Sequence, residues 1–141
     1  MRDILFRGKH NGEWVYGGFA SAPKKTLIIE ISDTMPTRME GKHVDPKTVG
    51  QYTGLTDKNG KKIFEGDIVK CSDEQYGYSF VAIVVFGNPN GEYNWGFQLK
   101  RIRGASANTD ILLWVEMEET GAYIEIIGNI HDNPELLRGA D

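Results

Sequence analysis

The sequence predicts a mainly β fold built from hairpins and ending in a short helical turn. Asn-Gly steps recur at Asn11-Gly12, Asn59-Gly60 and Asn90-Gly91. Each step is flanked on both sides by strand-like residues. Short β-branched runs, bounded by Gly and Pro, fill much of the remaining chain.

An Asn-Gly pair suits a type I′ hairpin turn, because both central residues then need positive φ, which Asn and Gly tolerate best. Ile4 to Arg7 precedes the first pair and Trp14 to Phe19 follows it. Gln51 to Leu55 and Ile63 to Val69 flank the second, and Phe80 to Phe86 and Tyr93 to Leu99 the third. Thr26 to Ile31 and Tyr123 to Ile127 read as further strands. Ile111 to Val115 is ambiguous: Asp110 could cap a helix, but Trp114 and Val115 so near the Thr120-Gly121 turn favour a strand. At the C-terminal end Asn133 is placed to cap a helix, with Pro134 at the first helical position, where its missing N–H does no harm. Asp33 to Lys47, with two prolines and little periodicity, reads as a long loop or a connection between subassemblies. A faint echo places Tyr16 and Gly18 after the first Asn-Gly step at the offsets of Phe64 and Gly66 after the second.

A chain of 141 residues fits one domain, or two very small ones sharing a core, and can bury roughly two-thirds of its unfolded surface. Its one cysteine, Cys71, has no partner in the chain and suits a reducing cytosol. The N-terminal residues form neither a signal peptide nor a membrane span. The net charge of −4 conceals an asymmetry: residues 1–66 sum to +3 and residues 67–141 to −7. A nucleic-acid binder is usually more basic.

The strongest signal is the stretch from Val49 to Val69, which contains Tyr52-Thr53-Gly54-Leu55, then Asp57-Lys58-Asn59-Gly60, then Phe64-Glu65-Gly66-Asp67-Ile68-Val69. It resembles the hallmark of the YopX-like family of phage and prophage proteins. Ile4-Leu5-Phe6-Arg7 is similar to the family's opening strand. Ile127 to Leu137, with Asn133-Pro134, is similar to its closing motif. The resemblance spans nearly the whole chain but not 72–120. It implies a phage or prophage origin, a β-rich barrel-like fold and no established activity, and it brings no catalytic residues. One domain over 1–141 is expected, with an N-terminal β subassembly over 1–48 and a barrel-like part over 49–137.

Glu65-Gly66-Asp67 is a form found where a small SH3-like barrel strand begins. Gly66 can take a backbone shape closed to other residues, and Asp67 can accept from nearby backbone N–H groups. Tyr52, Gly54, Asn59, Gly60, Glu65, Gly66, Asp67, Asn133 and Pro134 are therefore read as structural. The alternative, a carboxylate pair at Glu65 and Asp67 for catalysis or a metal, lacks a third ligand nearby. His10, His43 and His131 lie apart, with no metal-ligand spacing. Cys71 has no assignable base, and no glycine pattern cradles a phosphate. No catalytic, metal or cofactor residues are assigned.

The most suggestive polar cluster is Lys100, Arg101 and Arg103, just after Tyr93 and Trp95. Aromatics beside cations can stack on bases and meet phosphates. Against this, Trp95, Phe97 and Leu99 share one strand face, which suits a core followed by a solvated strand end. Glu116, Glu118 and Glu119 read as a solvated tip. The functional expectation is a cytoplasmic, non-enzymatic β-barrel adaptor that binds a macromolecular partner, most simply a protein. A nucleic-acid-binding small barrel is the alternative, and an enzyme is disfavoured. The charge asymmetry and open strand edges also suggest a homo-oligomer.

Overall fold

A computed structural model describes residues 5–22, 25–31, 39–87, 96–105, 111–116 and 121–138. The chain is mainly β, in two antiparallel sheets. It divides into two units, Met1–Gly54 and Leu55–Asp141.

The first unit holds β1 (Phe6–His10), β2 (Glu13–Ala22), β3 (Lys25–Ile31), β4 (Met39–His43) and most of β5 (Asp45–Thr56), in the order β4-β3-β2-β1-β5. The first Asn-Gly turn is as expected: His10 pairs with Glu13, and Asn11 and Gly12 have φ of 51° and 82°. Val15 and Ile28 point to one side of the sheet, where they meet Val44, Phe6 and Val49.

The expected loop from Asp33 to Lys47 is largely strand: β4 and the start of β5 occupy its described part, and 32–38 lie outside the described residues. Gly41 pairs with Ile29. Pro46 cannot donate to a ladder, and the β1–β5 register shifts beside it. There the Lys9 N–H donates to Thr48 Oγ1 at 2.8 Å, and that hydroxyl donates to the Asp45 carbonyl at 2.6 Å.

The second unit begins with the end of β5 and the strand beside it, β6 (Lys62–Phe64). It continues through β7 (Asp67–Asp73), β8 (Tyr78–Gly87), β9 (Gly96–Gly104), helix α1 (Ile111–Glu116) and β10 (Ala122–Asn129) to a 3-10 turn at Pro134–Leu137. The four-stranded sheet runs β10-β7-β8-β9, with no pairing between its ends among the described residues. Strict alternation along β8 sends Phe80, Ala82 and Val84 inward. With Val69, Cys71, Leu99 and Ile124 they form the core.

Three expectations are corrected here. The segment Ile63 to Val69 is not one strand, because the turn at Glu65-Gly66 splits it into β6 and β7. Ile111 to Val115 is helical, not extended. Ile111 and Trp114, one helical turn apart, both enter the core, and the Trp114 ring meets Phe80 edge-on at 5.3 Å. Its proposed cap, Asp110, lies outside the described residues. Finally, Asn133 precedes the 3-10 turn but makes no side-chain cap bond; its Oδ1 instead accepts from the Asn129 N–H at 3.2 Å.

The third hairpin is present as β8 and β9, which pair from Gly87–Gly96 to Phe80–Gly104. Its turn, with Asn90-Gly91, Tyr93 and Trp95, falls outside the described residues.

Candidate functional site

The hallmark stretch builds two braced turns. In the first, Asp57 is buried at the end of β5 and its carboxylate gathers three backbone donors. Oδ1 accepts from the N–H groups of Asn59 and Lys61, each at 2.9 Å, and Oδ2 accepts from Ile126 of β10 at 3.0 Å. The Lys58 N–H also donates to the Ile124 carbonyl at 3.0 Å. Gly60 has the positive φ expected of it, 79°, but Asn59 does not. With the Gly60 N–H donating to the Asp57 carbonyl at 3.0 Å, this is a type I turn closed by a left-handed glycine, not the expected type I′ turn.

In the second turn, Gly66 has φ 92° and Asp67 is 2% exposed. Asp67 Oδ2 accepts from the Phe64 N–H at 2.7 Å. The Gly66 N–H donates to Val84 at 2.8 Å, and its carbonyl accepts from Ile130 at 2.9 Å. The closing motif thus packs against the hallmark stretch. Asn129 Oδ1 organises that motif by accepting from His131 and Asp132.

Of the remaining motif residues, Tyr52 is buried and donates its N–H to Leu5 at 2.8 Å, while Gly54 has φ 86°. Glu65 is half-buried and Pro134 exposed. His10 Nδ1 lies 2.7 Å from the His43 carbonyl, so these two histidines meet through the backbone of one of them. Burial pushes the Cys71 thiol up to about 12. That keeps it protonated and a poor nucleophile at neutral pH.

The basic cluster is split by the structure. Arg103 Nη1 donates to the Leu136 carbonyl at 2.6 Å and so ties β9 to the 3-10 turn. Arg101 is exposed and bonds locally, to the Gly104 carbonyl at 2.9 Å. Lys100 is exposed. All three lie in the second half of β9, just after the buried Leu99.

The sequence reading missed the residue beside them. Phe86 is 61% exposed and its ring meets Phe97 edge-on at 5.1 Å. Their cross-strand pairing follows from the β8–β9 register. Phe86 continues the inward alternation of Phe80, Ala82 and Val84 to the end of the strand, so its place in the sequence pattern reads as core and not as surface. β9 is the last strand of its sheet, with β8 its one strand neighbour among the described residues.

Among the described residues no helix is long and apolar enough to cross a membrane. Among curated proteins, none matches the sequence. The family profile described as YopX protein matches residues 5–138, nearly the full length, and the chain belongs to the YopX family.

Proposed function

We propose that the chain is a non-enzymatic phage or prophage accessory protein, a β-sheet adaptor that binds a protein partner along β9 in the host cytoplasm. The observation that carries this reading is exposed Phe86, at the end of β8, set edge-on against half-buried Phe97 of the terminal strand β9, with exposed Lys100 and Arg101 further along β9. Aromatic and arginine side chains dominate binding hot spots. An open strand edge offers backbone donors and acceptors to an added strand. The non-enzymatic part is supported by the motif carboxylates: Asp57 and Asp67 are engaged with backbone N–H groups inside the fold.

The finer fold reading, an SH3-like or related small barrel, belongs to this proposal. It is supported by register shifts at Val81/Ala82 and Ile126/Gly128, since bulges bend sheets toward closure. The alternative of nucleic acid held by Lys100, Arg101 and Arg103, with Tyr93 and Trp95, loses support because Arg103 is committed to Leu136. Self-association is part of the partner proposal. It rests on the opposed charges of the two halves of the sequence, and light scattering across a salt series tests it: a monomer mass throughout removes it.

The test of the main reading is capture from nuclease-treated host lysate, identified by mass spectrometry, with Phe86→Asp as the control. One protein retained by the native chain and lost by the variant supports the reading. Loss of all capture on nuclease treatment overturns it.

A further inference from the structure

The first unit carries cations and aromatics on one sheet face that the adaptor reading does not use. Arg7 pairs with Tyr16 and Lys9 with Trp14 across β1 and β2, and directly paired residues point to the same side of an antiparallel sheet. These four therefore face away from the side that holds Val15 and Ile28. The Arg7 guanidinium lies 4.3 Å from the Trp14 ring centre, and Lys9 Nζ lies 5.2 Å from it. Tyr16 is 46% exposed and Trp14 half-buried.

We propose that this face binds single-stranded nucleic acid, with bases stacked on Tyr16 and Trp14 and the phosphate chain guided by Lys9. Arg7 is buried, so it is a positioning residue that fixes the Trp14 ring and adds positive potential beneath it. Three arguments converge. Aromatic rings next to cations on a sheet face are what strand-binding proteins use, because every base has a π-face and every linkage a charge; on this face Tyr16 is the exposed ring. Residues two apart on a strand are about 6.7 Å apart. That spacing leaves each ring room for its own base of a single strand. Charge favours this unit: residues 1–54 carry eight Lys and Arg against six Asp and Glu, and residues 55–141 carry eight against fourteen. The overall acidity therefore belongs to the other unit.

The probe is a fluorescein-labelled oligo-deoxythymidylate of about twelve nucleotides, within the length a small β fold covers. Anisotropy and tryptophan quenching are followed against salt. The expected result is binding that weakens with salt, with quenching abolished by Trp14→Phe. Tyr16→Ala and Lys9→Gln should each weaken binding about fivefold or more, since one stacked base contributes about 1–3 kcal/mol. Lys9→Gln should also lower the salt slope by about one. Tyr16→Phe, which keeps the ring, should restore binding, and thermal melts of each variant show that the fold is intact. Phe86→Asp should leave oligonucleotide binding unchanged, which separates this proposal from the β9 reading. Absence of binding at low salt with protein near 100 μM, well above the concentrations such contacts need, overturns the inference. So does binding indifferent to both Tyr16→Ala and Lys9→Gln, or capture of a protein through this face in place of the oligonucleotide.

Discussion

The two described Asn-Gly turns have the same dipeptide and different shapes. At Asn11-Gly12 both residues have positive φ and the strands are joined directly. At Asn59-Gly60 only the glycine does, and a type I turn begins two residues earlier at Asp57. The carboxylate of Asp57 accounts for the difference. It holds the N–H groups of Asn59 and Lys61 from inside the turn, which keeps Asn59 out of the left-handed region. Its other oxygen reaches Ile126, 69 positions along the chain. The first turn is a local solution to reversing a strand; the second is local in shape but anchored at long range.

The largest effect expected from breaking this contrast is at Asp57. Asp57→Ala strands three backbone donors at a site 5% exposed. Hydrogen bonds to a charged group contribute about 1.5–3 kcal/mol each, partly recovered by water, so a loss of about 3 kcal/mol or more is expected in urea unfolding. Asp57→Asn keeps one acceptor oxygen and should cost about half as much, because its amide must present a donor to one of the N–H groups it faces. A melt unchanged in Asp57→Ala would show that the β10 anchor does not matter.

A smaller effect is expected one strand away. Cys71 pairs with Ile124 of β10, next to the anchor, and its thiol is pushed from 9.0 up to about 12 by burial. The native thiol stays protonated while the unfolded one ionises from about pH 9. Its contribution to stability is therefore complete below pH 9 and is lost as pH rises toward 12. Near pH 10.5 the loss is about 2 kcal/mol, at 1.36 kcal/mol per pH unit. The alkaline slope of stability should flatten in Cys71→Ala relative to the native chain. Equal slopes would show that the thiol is open to water.

The contrast also shows what sequence reading could and could not see. Asn-Gly locates strand reversals because the requirement for positive φ is local, and Gly12, Gly60 and Gly66 all follow it. The turn type at 57–60 escaped because Ile126 belongs to a different part of the sequence. Helix α1 escaped because its evidence is one pair, Ile111 and Trp114, in a segment too short to show periodicity. Arg103 looked like a ligand-binding cation because nothing in its neighbourhood announces Leu136 as its acceptor. The exposed Phe86 looked like any other strand residue for the same reason.

A further prediction holds the backbone requirement fixed and varies only the setting. A Cβ added at Gly12 or Gly60 meets nothing within 4 Å. Gly12→Val and Gly60→Val should therefore each cost at least about 1 kcal/mol from left-handed strain alone. The two costs should agree to within about 0.5 kcal/mol. An unchanged thermal melt in Gly60→Val would remove the turn assignment. A much larger cost at Gly60 than at Gly12 would show that strain there is transmitted to β10.

The smallest effect concerns the outer surface of the anchored turn. Lys58 Nζ lies 3.9 Å from Glu125 Oε2 and 4.1 Å from the centre of the Tyr123 ring, and Asn59 Nδ2 donates to the same Glu125 oxygen at 3.4 Å. These contacts point the turn toward β10 on its wet side, where Asp57 does so on the dry side. Both charged side chains are about one-third exposed, at 35% and 33%, so solvent screens their attraction. Holding two long side chains in place also costs entropy. A double-mutant cycle with Lys58→Ala and Glu125→Ala should give a coupling of about 0.2–0.5 kcal/mol, falling further in 1 M salt, where the screening length is about 3 Å. Set against about 3 kcal/mol at Asp57, that ordering assigns the anchor to buried backbone hydrogen bonds and not to surface charge. A salt-insensitive coupling above about 1 kcal/mol would reverse it, because a pair that strong would have to be shielded from water.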